Sequence, residues 1–212
     1  MAANNKIKRG ILITAATAAV IGAVPLTEAG AADVAPSASA AGALKGTFRV
    51  GAGSYFRMRF PTGGKFFKNP DSASRDKTYT SLKGGSAGGL VTGALQSGSG
   101  FDRRGNSRAG SIVKPTKFAG IRFGLATFGR DPQSHKGKPR PSFTLSGTRI
   151  HGQVSALTAA WNKLYFNQGA SVSGTYNPRT KSYTLSWSSK IHGGPFNGFT
   201  GIWRLKGKFA RR

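Results

Sequence analysis

The sequence contains no cysteine, which excludes disulfides, a thiolate nucleophile and cysteine-ligated metal. Acid is nearly as scarce. Six Asp and Glu stand against 32 Lys and Arg in 212 residues, and beyond residue 40 the acids are Asp71, Asp76, Asp102 and Asp131 alone. Hydrolysis by paired carboxylates needs two acids converging on one bond. Each of these four lies in a polar stretch, Asp102 beside Arg103 and Asp131 beside Arg130, and reads as a solvated loop residue. No Glu follows residue 28, so a His-Glu-x-x-His zinc site is excluded. Histidine is limited to His135, His151 and His192, whose spacing gives them no common face for a metal.

Serine is abundant, but a nucleophilic serine needs a base and an oriented third group. A G-x-S-x-G nucleophile elbow is not expected, GSAGG and GASVSG read as low-complexity turns, and no glycine-rich stretch closes with the Gly-Lys-Ser/Thr of a phosphate loop. The sequence therefore predicts a protein that is not an enzyme, with no catalytic residues, no metal and no cofactor.

Long apolar runs are missing except at the start. Lys6, Lys8 and Arg9 precede the apolar run ILITAATAAVIGAV at 11–24, which Pro25 closes. The run is too short for an ordinary membrane span and has the shape of an export signal. Small-residue cleavage patterns follow at Ala29–Ala31 and Ala38–Ala40. The expectation is a signal peptide over 1–31, with cleavage as late as 40, and a flexible Ala/Ser/Pro-rich lead over 32–43. A single secreted β-rich domain over 44–212 would follow, with no transmembrane segment in the mature chain.

What remains is alternation and positive charge. Leu44, Gly46, Phe48 and Val50 alternate with Lys45, Thr47 and Arg49, and Phe56, Met58 and Phe60 with Tyr55, Arg57 and Arg59. Period two marks a half-buried strand, and GAGS between the two runs predicts a hairpin over 44–60. TYTSL and GGLVTGAL read as short strands, and KFAGIRFGLATF resumes the alternation. SFTLSGTRIHGQV reads as a strand bent near Gly147. Residues 129–141, rich in Gly and Pro, predict a long exposed loop. Val154, Leu157, Trp161 and Leu164 fall at steps of three and four, which suits one short helix giving way to a strand near 163. NPRTK, between two alternating runs, predicts a hairpin turn in which Asn177 accepts from the backbone beyond it. Trp203 to Phe209 is the last strand. The fold class is mainly β: an antiparallel β-sandwich or small β-barrel with at most one short helix.

The charge directs the functional reading. After Asp131 there is no acid at all, so neighbouring carboxylates cannot neutralise the basic residues, and anionic partners relieve the self-repulsion. Strand parity puts Lys45, Arg49, Arg57, Arg59, Arg204, Lys206 and Lys208 on polar faces, and Lys136, Lys138 and Arg140 in the exposed loop. These ten form the candidate polyanion-binding set. Phe48, Phe60, Trp187, Trp203 and Phe209 take core parity, leaving Tyr55 and Tyr165 as the exposed aromatics.

The function expected is electrostatic association with an anionic polymer or surface at or beyond the cell surface. Envelope glycan, acidic lipid headgroups or extracellular nucleic acid bound without sequence preference would serve. Two alternatives stand beside it. One is a β-barrel carrier of an apolar or haem-like ligand, with Tyr183 or His192 as a possible axial group. The other is a structural subunit of a cell-surface assembly, recognisable by concentration-dependent association at high salt.

Overall fold

Alternating side chains of unlike polarity give each strand one face to bury, and the chain buries them by curling one large antiparallel sheet. The computed structural model describes residues 42–98 and 100–212, so the export signal expected over 1–31 lies outside the described residues. The strands are β1 (Gly42–Ala43), β2 (Gly46–Val50), β3 (Tyr55–Arg59), β4 (Thr80–Ser81), β5 (Gly89–Val91), β6 (Thr116–Phe118) and β7 (Ile121–Thr127). They continue as β8 (Ser142–Ser146), β9 (Arg149–Gln153), β10 (Leu157–Trp161), β11 (Leu164–Asn167), β12 (Ser171–Asn177), β13 (Ser182–Lys190) and β14 (Thr200–Arg211). The fold is mainly β, as the alternation predicts.

The large sheet runs β1-β8-β9-β12-β13-β14-β2-β5, with β3 also on β14 and β4 on β3, and curls into a half-barrel. A second sheet, β11-β10-β7-β6, packs on its concave side. Two aromatic groups fill the interior. Within the curl, the Phe48 ring centroid lies 4.6 Å from Phe143, 4.9 Å from Tyr183 and 4.6 Å from Phe209. Between the sheets, Phe56 meets Phe118 at 5.4 Å and Trp203 at 4.3 Å, and Trp187 stacks on Trp203 at 6.0 Å.

Four sequence expectations change. First, β2 and β3 form no hairpin. Both pair with β14 and lie end to end along its edge, Phe48 opposite Phe209 and Phe56 opposite Trp203. The four residues between them make a break in that ladder, which Ser54 spans: its Oγ donates to the Lys206 carbonyl at 3.0 Å and accepts from the Lys206 N–H at 2.9 Å. Second, the helix expected over 154–163 is the hairpin β10–β11. Asn162 and Lys163 both take positive φ (47° and 61°), the geometry of a two-residue hairpin turn, with Trp161 opposite Leu164. Third, the strand expected to bend near Gly147 is the hairpin β8–β9, with Ser146 opposite Arg149. Fourth, Gly42 and Ala43, assigned to the flexible lead, pair with Leu145 and Thr144 of β8.

The NPRTK turn behaves as expected. Asn177 pairs with Ser182 across the β12–β13 hairpin, and its Oδ1 accepts from the Thr180 N–H at 3.1 Å. The connector at 193–198 contains a 3-10 turn, Gly194–Phe196. No helix among the described residues is long and apolar enough to cross a membrane.

Candidate functional site

β14 is the central positioning element. Gly201, Trp203, Leu205 and Phe209 are buried on the concave side, so Arg204, Lys206 and Lys208 stand on the convex side, alternate residues about 7 Å apart. The register places Arg49 opposite Lys208 and Tyr55 opposite Arg204 on one edge. Arg57 lies opposite Ile202 and Arg59 opposite Thr200. At the far end the Arg212 N–H donates to the Lys45 carbonyl at 3.2 Å, which brings Lys45 to the same row. On the other edge β13 offers Ser182, Thr184, Ser186 and Ser188, followed by Ser173 and Thr175 of β12. The convex face is thus a ridge of cations beside a field of hydroxyls. Among the described residues no strand contains an Asp or Glu.

Seven of the ten sequence-predicted cations therefore share one surface: Lys45, Arg49, Arg57, Arg59, Arg204, Lys206 and Lys208. Two of these are held. Lys208 Nζ donates to the Thr180 carbonyl at 2.6 Å. The Arg57 guanidinium lies over the Phe66 ring at 3.4 Å and the Tyr79 ring at 4.1 Å, and its Nη1 donates to the Tyr79 hydroxyl at 2.9 Å. That sandwich orients a guanidinium while leaving its charge unpaired. The Nε atoms of Arg57 and Arg204 are buried without a hydrogen-bond partner. Phe66 and Tyr79 are legible only from the fold, because Phe66 reaches Arg57 through a single bridge to Arg59 and Tyr79 precedes the two-residue strand β4 that pairs with β3.

Lys136, Lys138 and Arg140 belong elsewhere. Their loop is organised by Asp131, whose Oδ1 accepts from the Gln133 and Ser134 N–H groups at 2.9 and 3.0 Å and whose Oδ2 pairs with Lys138 Nζ at 3.1 Å. This is the sole ion pair among the described residues. Lys138 is accordingly engaged in holding its own loop, and Arg140 Nη1 reaches the Gly93 carbonyl at 3.4 Å. Lys136 remains exposed.

Partial burial opposes ionisation of Asp131, but the two N–H donors and Lys138 outweigh it and hold the carboxyl below its ordinary value. A depressed folded-state value contributes stability above the unfolded carboxylate pKa, about 3.9, that is lost as pH falls through the folded value. Asp131→Asn is therefore expected to lower stability by about 1–2 kcal/mol at neutral pH. The difference from the parent should narrow over the acid window that opens below about pH 4, read as unfolding midpoints in a pH series. A constant difference across that window would show that the charge of Asp131 is immaterial.

The aromatics also depart from expectation. Phe60 is 37% exposed and packs on Phe199 at 4.9 Å. Tyr165 is half-buried, lies 5.1 Å from Phe101, and accepts from the Gly100 N–H at 3.0 Å through its hydroxyl. Tyr183 is buried and donates to the Arg49 carbonyl at 3.0 Å, and burial pushes its phenol pKa far up. The hollow between the sheets, lined by Phe56, Phe118, Trp161, Phe196 and Trp203, has a volume of about 40 Å³. Ligand pockets are usually several hundred Å³, so a carrier function has no preformed chamber at this place.

Residues 84–88, GGSAG, match the letters of a serine nucleophile elbow, yet Ser86 lies in a turn before β5 with no helix following. Among the described residues no three His, Cys, Asp or Glu side chains gather as a metal cluster. Comparison with known proteins gives no match to any family model, curated protein or solved structure.

Proposed function

We propose that this chain is a non-enzymatic binding protein that holds an anionic polymer or surface on the convex face of its large sheet. The partner class is an envelope glycan bearing phosphate or carboxylate, acidic lipid headgroups, or extracellular nucleic acid bound without sequence preference. Export to the cell surface or beyond belongs to the same proposal and rests on the Lys6–Pro25 pattern.

The observation that carries the reading is the cation row on β14, β2 and β3 in strands wholly without acid. Cations spaced about 7 Å apart match the repeat of charges along an extended polyanion, and no carboxylate on the strands competes for them.

The test is retention. Arg204→Gln/Lys206→Gln/Lys208→Gln should elute earlier than the parent from immobilised duplex DNA and phosphocellulose. Its log-log salt dependence on duplex DNA should be shallower by about 2 to 3, the share of three phosphate contacts. Parallel binding to acidic vesicles and isolated envelopes ranks the partner classes. Elution identical to the parent at every salt concentration would remove β14 from the binding surface.

A further inference from the structure

A second basic surface lies on the small sheet. The β6–β7 hairpin turns at Ala119 and Gly120, with φ of 49° and 81°, so Phe118 and Ile121 are the closing pair and Lys117 stands directly opposite Arg122. One step from the closing pair of such a hairpin is a non-hydrogen-bonded site, where facing side chains come closest. Like charges there destabilise the strand pair. The Arg122 backbone turns outward instead: its N–H donates to Asn106 Oδ1 at 2.8 Å, and its carbonyl accepts from the Ser107 N–H at 2.9 Å. Those bonds hold segment 102–108 beside β7, where it delivers Arg103, Arg104 and Arg108 to the same groove, about 680 Å³ in volume.

Five exposed cations thus line a groove with one acid, Asp102, whose carboxylate is already occupied, and a second, Asp71, is tied at its edge by the Gly120 N–H, which donates to Oδ2 at 2.7 Å. Asp102 Oδ2 accepts from Asn106 Nδ2 at 2.8 Å and its Oδ1 from the Asn106 N–H at 2.9 Å, bonds that hold its pKa below the ordinary value. Four of the five cations are Arg, the residue whose planar fork matches phosphate oxygens two at a time.

Parity fixes where this groove faces. Phe118 and Phe123 point toward Phe56 and Trp203 of the large sheet, so Lys117 and Arg122, which alternate with them, point away. Arg204 and Lys206 alternate with the inward Trp203 and Leu205 on the other layer. The two basic surfaces look outward from opposite layers of the sandwich.

We infer that the groove of Arg103, Arg104, Arg108, Lys117 and Arg122 is a second oxyanion site, and that one molecule bridges two phosphate-bearing chains. The bridging rests on the convex-face reading for its other arm. The groove stands by its own geometry.

The experiment uses long-chain polyphosphate, with inorganic triphosphate as the short probe. Parent protein should scatter light strongly near charge balance with long polyphosphate and clear in excess polymer, whereas triphosphate should bind without scattering. Arg103→Gln/Arg104→Gln/Arg122→Gln should lose about tenfold in scattering while its phosphocellulose retention falls little, since avidity needs both arms. Lys65→Gln/Lys83→Gln/Lys163→Gln, which removes equal charge from exposed positions outside both sets of cations, should scatter within about twofold of the parent. Matched thermal midpoints keep the comparison among folded proteins. Equal loss in both variants would reduce the effect to net charge and overturn the inference, as would undiminished scattering from the groove variant or none from the parent. Loss of column retention on altering Arg204, Lys206 and Lys208 reports on the convex face alone, so the two readings fail separately.

Discussion

Replacing Gln168 by Leu is expected to destabilise the protein by about 2–4 kcal/mol, although Leu is the more apolar residue and the site is buried. Gln168 is 1% exposed and lies where the two sheets meet. Its Oε1 accepts from Trp203 Nε1 at 3.2 Å and from Ser189 Oγ at 3.0 Å, and its Nε2 donates to the Asn167 carbonyl at 2.6 Å. Its own carbonyl accepts from Trp187 Nε1 at 3.0 Å, so one residue holds both members of the stacked tryptophan pair. Leu would remove the side-chain bonds, leaving the Trp203 N–H without an acceptor inside an apolar layer, and a desolvated donor costs more than a bond contributes.

Gly201 exists to admit this amide, since a Cβ there would stand 2.3 Å from Gln168 Oε1. Denaturant midpoints measure the effect, and Trp203→Phe with the double variant completes a cycle in which the two changes should not add. Additive losses would mean that the amide and the indole are energetically independent.

Period two was readable wherever a strand has one face in water. β12, β13 and β14 alternate buried with exposed positions almost without fault, and their sequences alternate Val, Tyr, Leu and Trp with Ser, Thr and Lys. β7 and β10 are covered on both sides. Phe123 and Leu125 face the large sheet, while Gly124 and Ala126 lie under segment 107–109, so close that a Cβ on Gly124 would meet the Ala109 carbonyl at 2.0 Å. Small apolar residues on the second face erase the alternation. In β10, Ala160 does so while Ala159 stands between Leu157 and Trp161 on the face toward the large sheet, and the surviving Leu and Trp positions coincide with a helical step.

The false hairpin at 44–60 has another cause. Local turns are legible in a sequence, but β2 and β3 pair with a strand some 150 residues away, and short-range patterns carry no such information. The convex cation row was legible because strand parity gathers it. The groove on the small sheet was not, since Arg103, Arg104 and Arg108 come from a segment without period and Lys117 and Arg122 from two strands whose register the sequence leaves unstated.

Phe48→Ala is expected to be the most damaging single substitution on the large sheet, at about 3–5 kcal/mol out of a typical 5–15. Phe48 is fully buried, and its ring meets Phe143, Tyr183 and Phe209. These rings come from β8, β13 and β14, so the side chain links β2, one strand from one end of the curled sheet, to β8, one strand from the other. The Gly42–Val50 segment also spans the curl, with Gly42–Ala43 on β8 and Gly46–Val50 on β14 and β5. Truncating the ring removes the packing that holds that crossing while leaving its backbone bonds in place. Amide exchange should therefore quicken in β2 and at Phe209–Arg211 beyond the increase in β12. Phe48→Leu, which keeps an apolar mass there, should recover more than half the loss. Because Arg49 is carried by the same strand opposite Lys208, loosening β2 should also lower retention on phosphocellulose, although no cation has been removed. Uniform exchange across the sheet, or a loss under 1 kcal/mol, would show that the curl closes without this residue.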